Sequence, residues 1–177
     1  MKIRVLRCRI CGDSYLGTAA PTRCPFCGAP ARFFVDAHEW NADEFEVTLS
    51  DVSRGNLEKA LALELSNTAF YACATEKAKA GGDAYTAAKF KVLMKVEREH
   101  ASAICKFLKR DVPALEAAPC SAEGAANSKE GFEREDRAIK AYASFRDAAS
   151  EARMEEFFSA LVEIETDHLD LHKADLA

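Results

Sequence analysis

Two stretches of this 177-residue chain place Glu and His where a packed helix needs apolar side chains. Phe90, Leu93, Glu97, His100 and Ile104 recur at steps of three and four, and so do Phe158, Leu161, Glu165, His168 and His172. Residues so spaced share one helix face. Glu97-x-x-His100 and Glu165-x-x-His168 therefore project together from faces otherwise built for a core. An ionised carboxylate in an apolar interior costs several kcal/mol unless it is compensated. Two such pairs on two helices ask for a shared cation.

Two further stretches supply matching acids. Leu57, Leu61, Glu64, Thr68 and Tyr71 form one stripe; Glu135, Ala138, Tyr142 and Phe145 form the other. Glu64 to Glu135 and Tyr71 to Tyr142 both span 71 residues, while Glu97 to Glu165 and His100 to His168 both span 68. A two-helix unit used twice would give these offsets, and with them a pseudo-twofold site. Four helices are expected: Ser50 to Lys79, stopped by Gly81-Gly82-Asp83; Ala84 to Lys109, stopped before Asp111-Val112-Pro113; Asn127 to Ala149; and, with almost no loop signal between them, Ala152 to Lys173. Asn127 with Glu130 reads as a capping box. Glu64 lies 17 residues before Gly81 and Glu97 lies 14 after Asp83. At ~1.5 Å per residue, antiparallel neighbours bring the two acids to one level. One Glu from each of two helices plus Glu-x-x-His from each of the other two is the set by which helical bundles hold two metal ions. Two short connections around a long one match the ferritin-like topology.

The first 40 residues have another texture. They hold four of the seven cysteines, in the pairs Cys8-Arg9-Ile10-Cys11-Gly12 and Cys24-Pro25-Phe26-Cys27-Gly28. Two residues between cysteines let both thiolates chelate one ion from one tight turn, and four thiolates suit tetrahedral zinc or a single iron. So short a segment cannot support its own core without a staple, and the metal is that staple. Short strands are expected at Ile3–Val5 and Arg32–Val35, and an acidic linker over Asp36–Val47. From spacing alone zinc is favoured over iron.

Composition narrows the partners. The formal charge is −5, which argues against nucleic acid or an anionic membrane surface as the main partner. No apolar run has the length of a signal peptide or a membrane span, so a cytoplasmic protein is expected. Disulfides are rare there, and Cys73 and Cys105 read as small buried hydrophobes. Cys120 falls in the long loop with nothing beside it to argue for reactivity. His172 reads as a helix-terminal surface residue, Arg134 and Arg137 as solvated surface, and Trp40 as an anchor for the small module. Tyr71 and Tyr142 are expected to pack near the acids, with hydrogen bonding secondary.

With these residues in view, the bundle resembles the rubrerythrin and ferritin-like di-iron family, through Glu64, Glu97-x-x-His100, Glu135 and Glu165-x-x-His168. The N-terminal segment resembles a rubredoxin-like module, through Cys8-x-x-Cys11-Gly12 and Cys24-Pro25-Phe26-Cys27-Gly28. Module first and bundle second is the order of the branch called reverse rubrerythrin. The resemblance implies a mainly α protein with a rubredoxin-like module at 1–40 and a ferritin-like bundle at 48–177. It shifts the cysteine site from zinc to iron, with zinc as a substitute, and puts two irons in the bundle. Glu97 and Glu165 would bridge them, Glu64 and Glu135 would be terminal ligands, and His100 and His168 would complete the set. These six are also the candidate catalytic residues.

The implied activity is reduction of hydrogen peroxide to water, a defence against oxidative stress. Electrons would come from a nicotinamide-dependent reductase or a rubredoxin. Because the linker is short, electrons are expected to cross between subunits of a homodimer. The rivals are a ferroxidase or oxygen reductase on the same site, and a zinc-ribbon metal-binding protein without catalysis. One departure stands out: rubrerythrins generally carry a further carboxylate three residues from the third-helix ligand, whereas Phe132 and Ala138 flank Glu135. Glu133 and Asp136 have the spacing but would face elsewhere.

Overall fold

A computed structural model describes residues 2–176; the expected domain limits at Met1 and Ala177 lie outside them. Strand β1 (Arg4–Cys8) is the middle of a small sheet, paired antiparallel with β2 (Ser14–Gly17) and β3 (Phe34–Asp36). The stretch expected to be extended from Arg32 starts instead as a 3-10 turn, Ala31–Phe33, and only then enters β3. β2 has too few residues for its alternation to stand out in the sequence. Each knuckle closes through its glycine: Gly12 N–H donates to Cys8 O at 2.7 Å, and Gly28 N–H to Cys24 O at 2.8 Å. Both glycines have positive φ, +86° and +76°, where an L side chain is strained.

Four helices follow: α1 (Asp51–Ala80), α2 (Ala84–Leu108), α3 (Gly124–Ala148) and α4 (Ala152–Ala174). Ser50 caps α1 by accepting from Ser53 N–H, and Asp83 caps α2 by accepting from Thr86 N–H; such caps satisfy backbone donors that the first turn leaves free. The capping box expected at Asn127 is absent, because α3 begins at Gly124 and Asn127 is already inside it. Its side-chain amide instead pairs with both backbone groups of Ser121, at 2.9 and 3.0 Å, and ties the end of the crossover to the helix.

The topology follows from which levels meet. Tyr71 and Glu64 on α1 bond to Glu135 and Tyr142 on α3 in reversed order, so α1 and α3 run antiparallel. α2 also runs against α1, being joined to it by a tight turn, so α2 and α3 run the same way. A parallel pair cannot be joined by a hairpin. The 25 residues of α2 are ~37 Å long, and the connection over 109–123 has to retrace that length, which its extended reach of ~50 Å permits.

The module sits on its own bundle. Arg9 forms a bidentate pair with Glu156 of α4 at 2.9 and 3.0 Å and bonds Glu44 at 2.9 Å. Arg153 of α4 reaches the Arg9 carbonyl and pairs with Glu44 at 3.1 Å. Phe45 packs on Phe107 with ring centroids 4.9 Å apart, and the Gly28 backbone lies against Ile164. The short linker therefore does not keep the module away from its own helices, and the geometric ground for electrons crossing between subunits falls away. Trp40 is half-buried under the Arg7 guanidinium, 3.7 Å from the ring centroid, and anchors this corner of the module.

Two cysteine expectations fail. Cys73 of α1 and Cys120 of the crossover are joined in a disulfide, 47 residues apart in sequence. Neither is a lone buried hydrophobe or an idle loop thiol; among the described residues only Cys105 remains as a buried free thiol outside the knuckles. Arg134 is also not simple solvated surface, since its guanidinium lies 4.5 Å over the Phe70 ring and pairs with Glu130 at 2.9 Å. Among the described residues no helix is long and apolar enough to cross a membrane.

Candidate metal centres

The four knuckle cysteines converge in the module, with the ligand atoms within 4.8 Å of one another. Cys8 Sγ lies 3.7 Å from Cys27 Sγ, and Cys11 Sγ lies 3.9 Å from Cys24 Sγ. A tetrahedral ion with metal–sulfur bonds of ~2.3 Å has edges of ~3.8 Å, so the sulfurs stand where a tetrathiolate site needs them. Without an ion, hydrogen bonds among the sulfurs raise Cys11 and Cys27 and lower Cys8 and Cys24. The cluster then holds protons that a metal displaces.

The second centre lies inside the bundle. Glu64 comes from α1, Glu97 and His100 from α2, Glu135 from α3, and Glu165 and His168 from α4; the four carboxylates and His100 are fully buried, and His168 is nearly so. The structure brings all six together as two overlapping groups: Glu64, Glu97, His100 and Glu165 form one, and Glu97, Glu135, Glu165 and His168 the other. Glu97 and Glu165 belong to both. Glu97 presents Oε2 to His100 Nδ1 at 3.5 Å and Oε1 to His168 Nδ1 at 3.2 Å. Glu165 does the same with Oε1 at 3.2 Å and Oε2 at 2.7 Å. Each of these carboxylates thus divides its oxygens between the two imidazoles, as a bridge between two cations must. Glu64 stands 3.4 Å from His100 Nδ1 on one side, and Glu135 occupies the matching place on the other.

The donor set fits a pair of metal ions. Among the described residues, Glu64 Oε2, Glu135 Oε2, both oxygens of Glu97 and Glu165, and Nδ1 of His100 and His168 have no hydrogen-bond partner. Eight orphaned ligand atoms facing one point would be prohibitive in a protein interior unless cations filled it. The electrostatics agree. Burial pushes Glu64 and Glu135 well above the ordinary carboxylate range. Burial opposes charge on His100 and His168, yet the surrounding carboxylates outweigh it and hold both well above the usual imidazole value. Glu97 is also pushed up by burial, but the two imidazoles beside it, His100 and His168, outweigh that and bring it below its ordinary value.

Neighbours hold these ligands in place. The Tyr142 hydroxyl donates to Glu64 Oε1 at 2.5 Å, and the Tyr71 hydroxyl donates to Glu135 Oε1. Hydrogen bonding to the acids, which sequence reasoning ranked below packing, is thus a main role of both rings. His100 Nε2 lies 2.9 Å from the backbone carbonyl of Cys27, so one imidazole faces the acidic centre with one nitrogen and touches the thiolate centre with the other. His172 contradicts the surface reading: it is fully buried, with Nε2 2.9 Å from Tyr71 Oη. Burial pushes its pKa down to about 3, and the Lys89 ammonium adds to the shift. Its place on the same stripe as His168 was the available signal. Among the described residues no fifth carboxylate joins the cluster. Glu133 is exposed, and Asp136 is engaged with Lys140 at 2.5 Å.

Comparison with known families agrees with this picture. The model described as rubrerythrin, rubredoxin-like domain, matches residues 7–35, and the one described as rubrerythrin matches residues 55–176. No curated protein and no solved structure matches the chain.

Proposed function

The chain belongs to the rubrerythrin family, and from that premise we propose that it is a non-haem di-iron peroxidase. In this reading it reduces hydrogen peroxide to water with electrons passed from the cysteine site. The coarser statement, a metal-binding redox protein with a four-cysteine site and a carboxylate–histidine cluster, is the ground on which the proposal stands. One observation supports the electron-fed part of this reading: His100 faces Glu64, Glu97 and Glu165 through Nδ1 and meets Cys27 O through Nε2. A storage or purely structural metal site has no need of that link, whereas an electron-fed reaction does.

Glu97 and Glu165 would hold both ions, Glu64 with His100 one, and Glu135 with His168 the other. Two ferrous ions held there supply two electrons, the number that cleavage of one O–O bond consumes. The reaction also takes two protons per peroxide, giving two waters. Tyr71 and Tyr142 keep hydroxyl protons at Glu135 and Glu64, and full burial keeps bulk water from the acids. A cleft of about 570 Å³ between the Pro25–Phe26 knuckle, α1 and α2 reaches Thr68. Thr68 is one turn from Glu64 and bonds its carbonyl at 2.7 Å, which suits entry of a small polar substrate. A nicotinamide-dependent reductase or a rubredoxin would refill the cysteine site.

The test is a comparison of oxidants on the iron-loaded full chain, reduced and mixed rapidly with peroxide or with oxygen. Return of the cysteine-site absorption should be at least tenfold faster with peroxide. A comparable rate with oxygen would replace peroxidase by oxygen reductase or ferroxidase. A chain that holds only zinc when made in iron-rich medium would remove the redox role.

A further inference from the structure

The two halves of the bundle repeat at offsets of 71 between α1 and α3 and 68 between α2 and α4. Their aromatic shells repeat as well. Tyr71 stacks on Phe90 with centroids 5.8 Å apart at 20°, and at the corresponding positions Tyr142 stacks on Phe158 at 6.1 Å and 26°. Among the positions where the two halves differ, two lie together. His172 of α4 matches Ile104 of α2, and Gly131 of α3 matches Ala60 of α1.

These two breaks are one feature. A Cβ built on Gly131 falls 2.6 Å from His172 Nε2 and 2.9 Å from Nδ1, so the imidazole lies directly on the α3 backbone. A glycine inside a helix is destabilising relative to alanine; here it makes room for a histidine. The ring stacks on Tyr71 with centroids 5.7 Å apart at 14°. Glu135, once it carries its charge to a cation, can only accept a hydrogen bond. The single Tyr71 hydrogen then goes to Glu135 Oε1, and His172 must donate from Nε2 into the Tyr71 oxygen. That leaves Nδ1 bare, in keeping with its burial without a partner.

We propose that His172 is a positioning residue: its Nε2–H fixes the Tyr71 hydroxyl on Glu135 and makes the Glu135–His168 metal position unlike the Glu64–His100 position. The inference rests on the di-metal reading and adds a division of labour to it. The Glu64–His100 side touches the thiolate site through Cys27 O. The Glu135–His168 side carries the polar relay that its twin lacks, since Ile104 cannot donate to Tyr142.

Two measurements test it. First, nitrogen NMR on the full chain, labelled at its four histidines and loaded with zinc, reads the His172 tautomer. Nε2–H with bare Nδ1 is expected, and Nδ1–H would overturn the proposal. Second, cobalt titration of the full chain with the cysteine site filled gives the two bundle affinities. His172→Leu should weaken one of them about tenfold or more, the usual scale for removing a group that orients a ligand. His172→Gln, which retains an N–H at similar reach, should recover most of it. A His172→Leu chain that folds and binds both cobalt ions as the unaltered chain does, or a His172→Gln chain as weak as His172→Leu, would overturn the inference alone. An unaltered chain that takes up no bundle cobalt would overturn the di-metal reading and this inference with it.

Discussion

Tyr142 on α3 donates a 2.5 Å hydrogen bond to Glu64 on α1, across the bundle and at the level of the metal-ligand candidates. The bond fixes one oxygen of a carboxylate whose other oxygen has no protein partner. Tyr142→Phe removes the donor but keeps the ring and its stacking on Phe158. In the metal-loaded chain we expect a loss of about 1–3 kcal/mol, the cost of leaving a buried acceptor unmet, read from urea unfolding midpoints. An unchanged midpoint would mean that Glu64 finds another donor.

Shared and unshared carboxylates should behave differently. Glu97 belongs to both ligand groups and Glu64 to one. Glu97→Ala is therefore expected to lose both bundle irons and Glu64→Ala to lose one, with the cysteine-bound iron kept in each. Iron per chain, counted alongside the cysteine-site absorption, decides this. Two bundle irons in Glu97→Ala would refute the assignment of the bridge.

Filling the bundle should release protons. Glu64, Glu135, His100 and His168 all have pKa values raised above 4.5 for the acids and 6.5 for the imidazoles. For a group raised in the folded state, its stabilisation is complete below the unfolded value and is lost as pH rises through the folded one. The metal-free chain should therefore lose stability as pH climbs above about 4.5. Glu97, lowered in the fold, contributes in the opposite sense. Metal requires the deprotonated forms, so affinity should rise over the same range. Calorimetry in two buffers of different ionisation heat, with the cysteine site already filled, measures the protons released; a buffer-independent heat would contradict the shifts.

Reducing Cys73–Cys120 should loosen the crossover more than the helices. The bond closes a loop of 47 residues, for which chain entropy gives a stabilisation of about 4 kcal/mol as an upper figure. Unfolding with and without reductant, against a Cys73→Ser chain as reference, checks the size. Equal midpoints in all three would show that the link does not constrain the unfolded chain.

The sequence made the metal-ligand candidates legible because each sits at helical spacing inside a stripe of core residues, an expense no packed helix carries without reason. The four-helix order was readable for the same cause, together with breakers such as Gly81-Gly82. What stayed hidden depended on contacts between distant segments. Cys73 and Cys120 give no pairing signal at 47 residues apart. Asn127 looked like a cap until Ser121 claimed its amide. His172 was in plain view, four residues after His168, but its burial depends on a missing side chain at Gly131 on another helix. The seat of the module was also hidden, since it depends on Arg9 and Arg153 reaching partners 147 and 144 residues away.

The contact between Cys27 and His100 joins two redox-active regions of a single polypeptide. In the proposed reaction, passage of an electron between them would be a unimolecular event, timed by the fold rather than by encounter. Dilution would leave such a step untouched, and collision would govern only the arrival of reducing equivalents from outside.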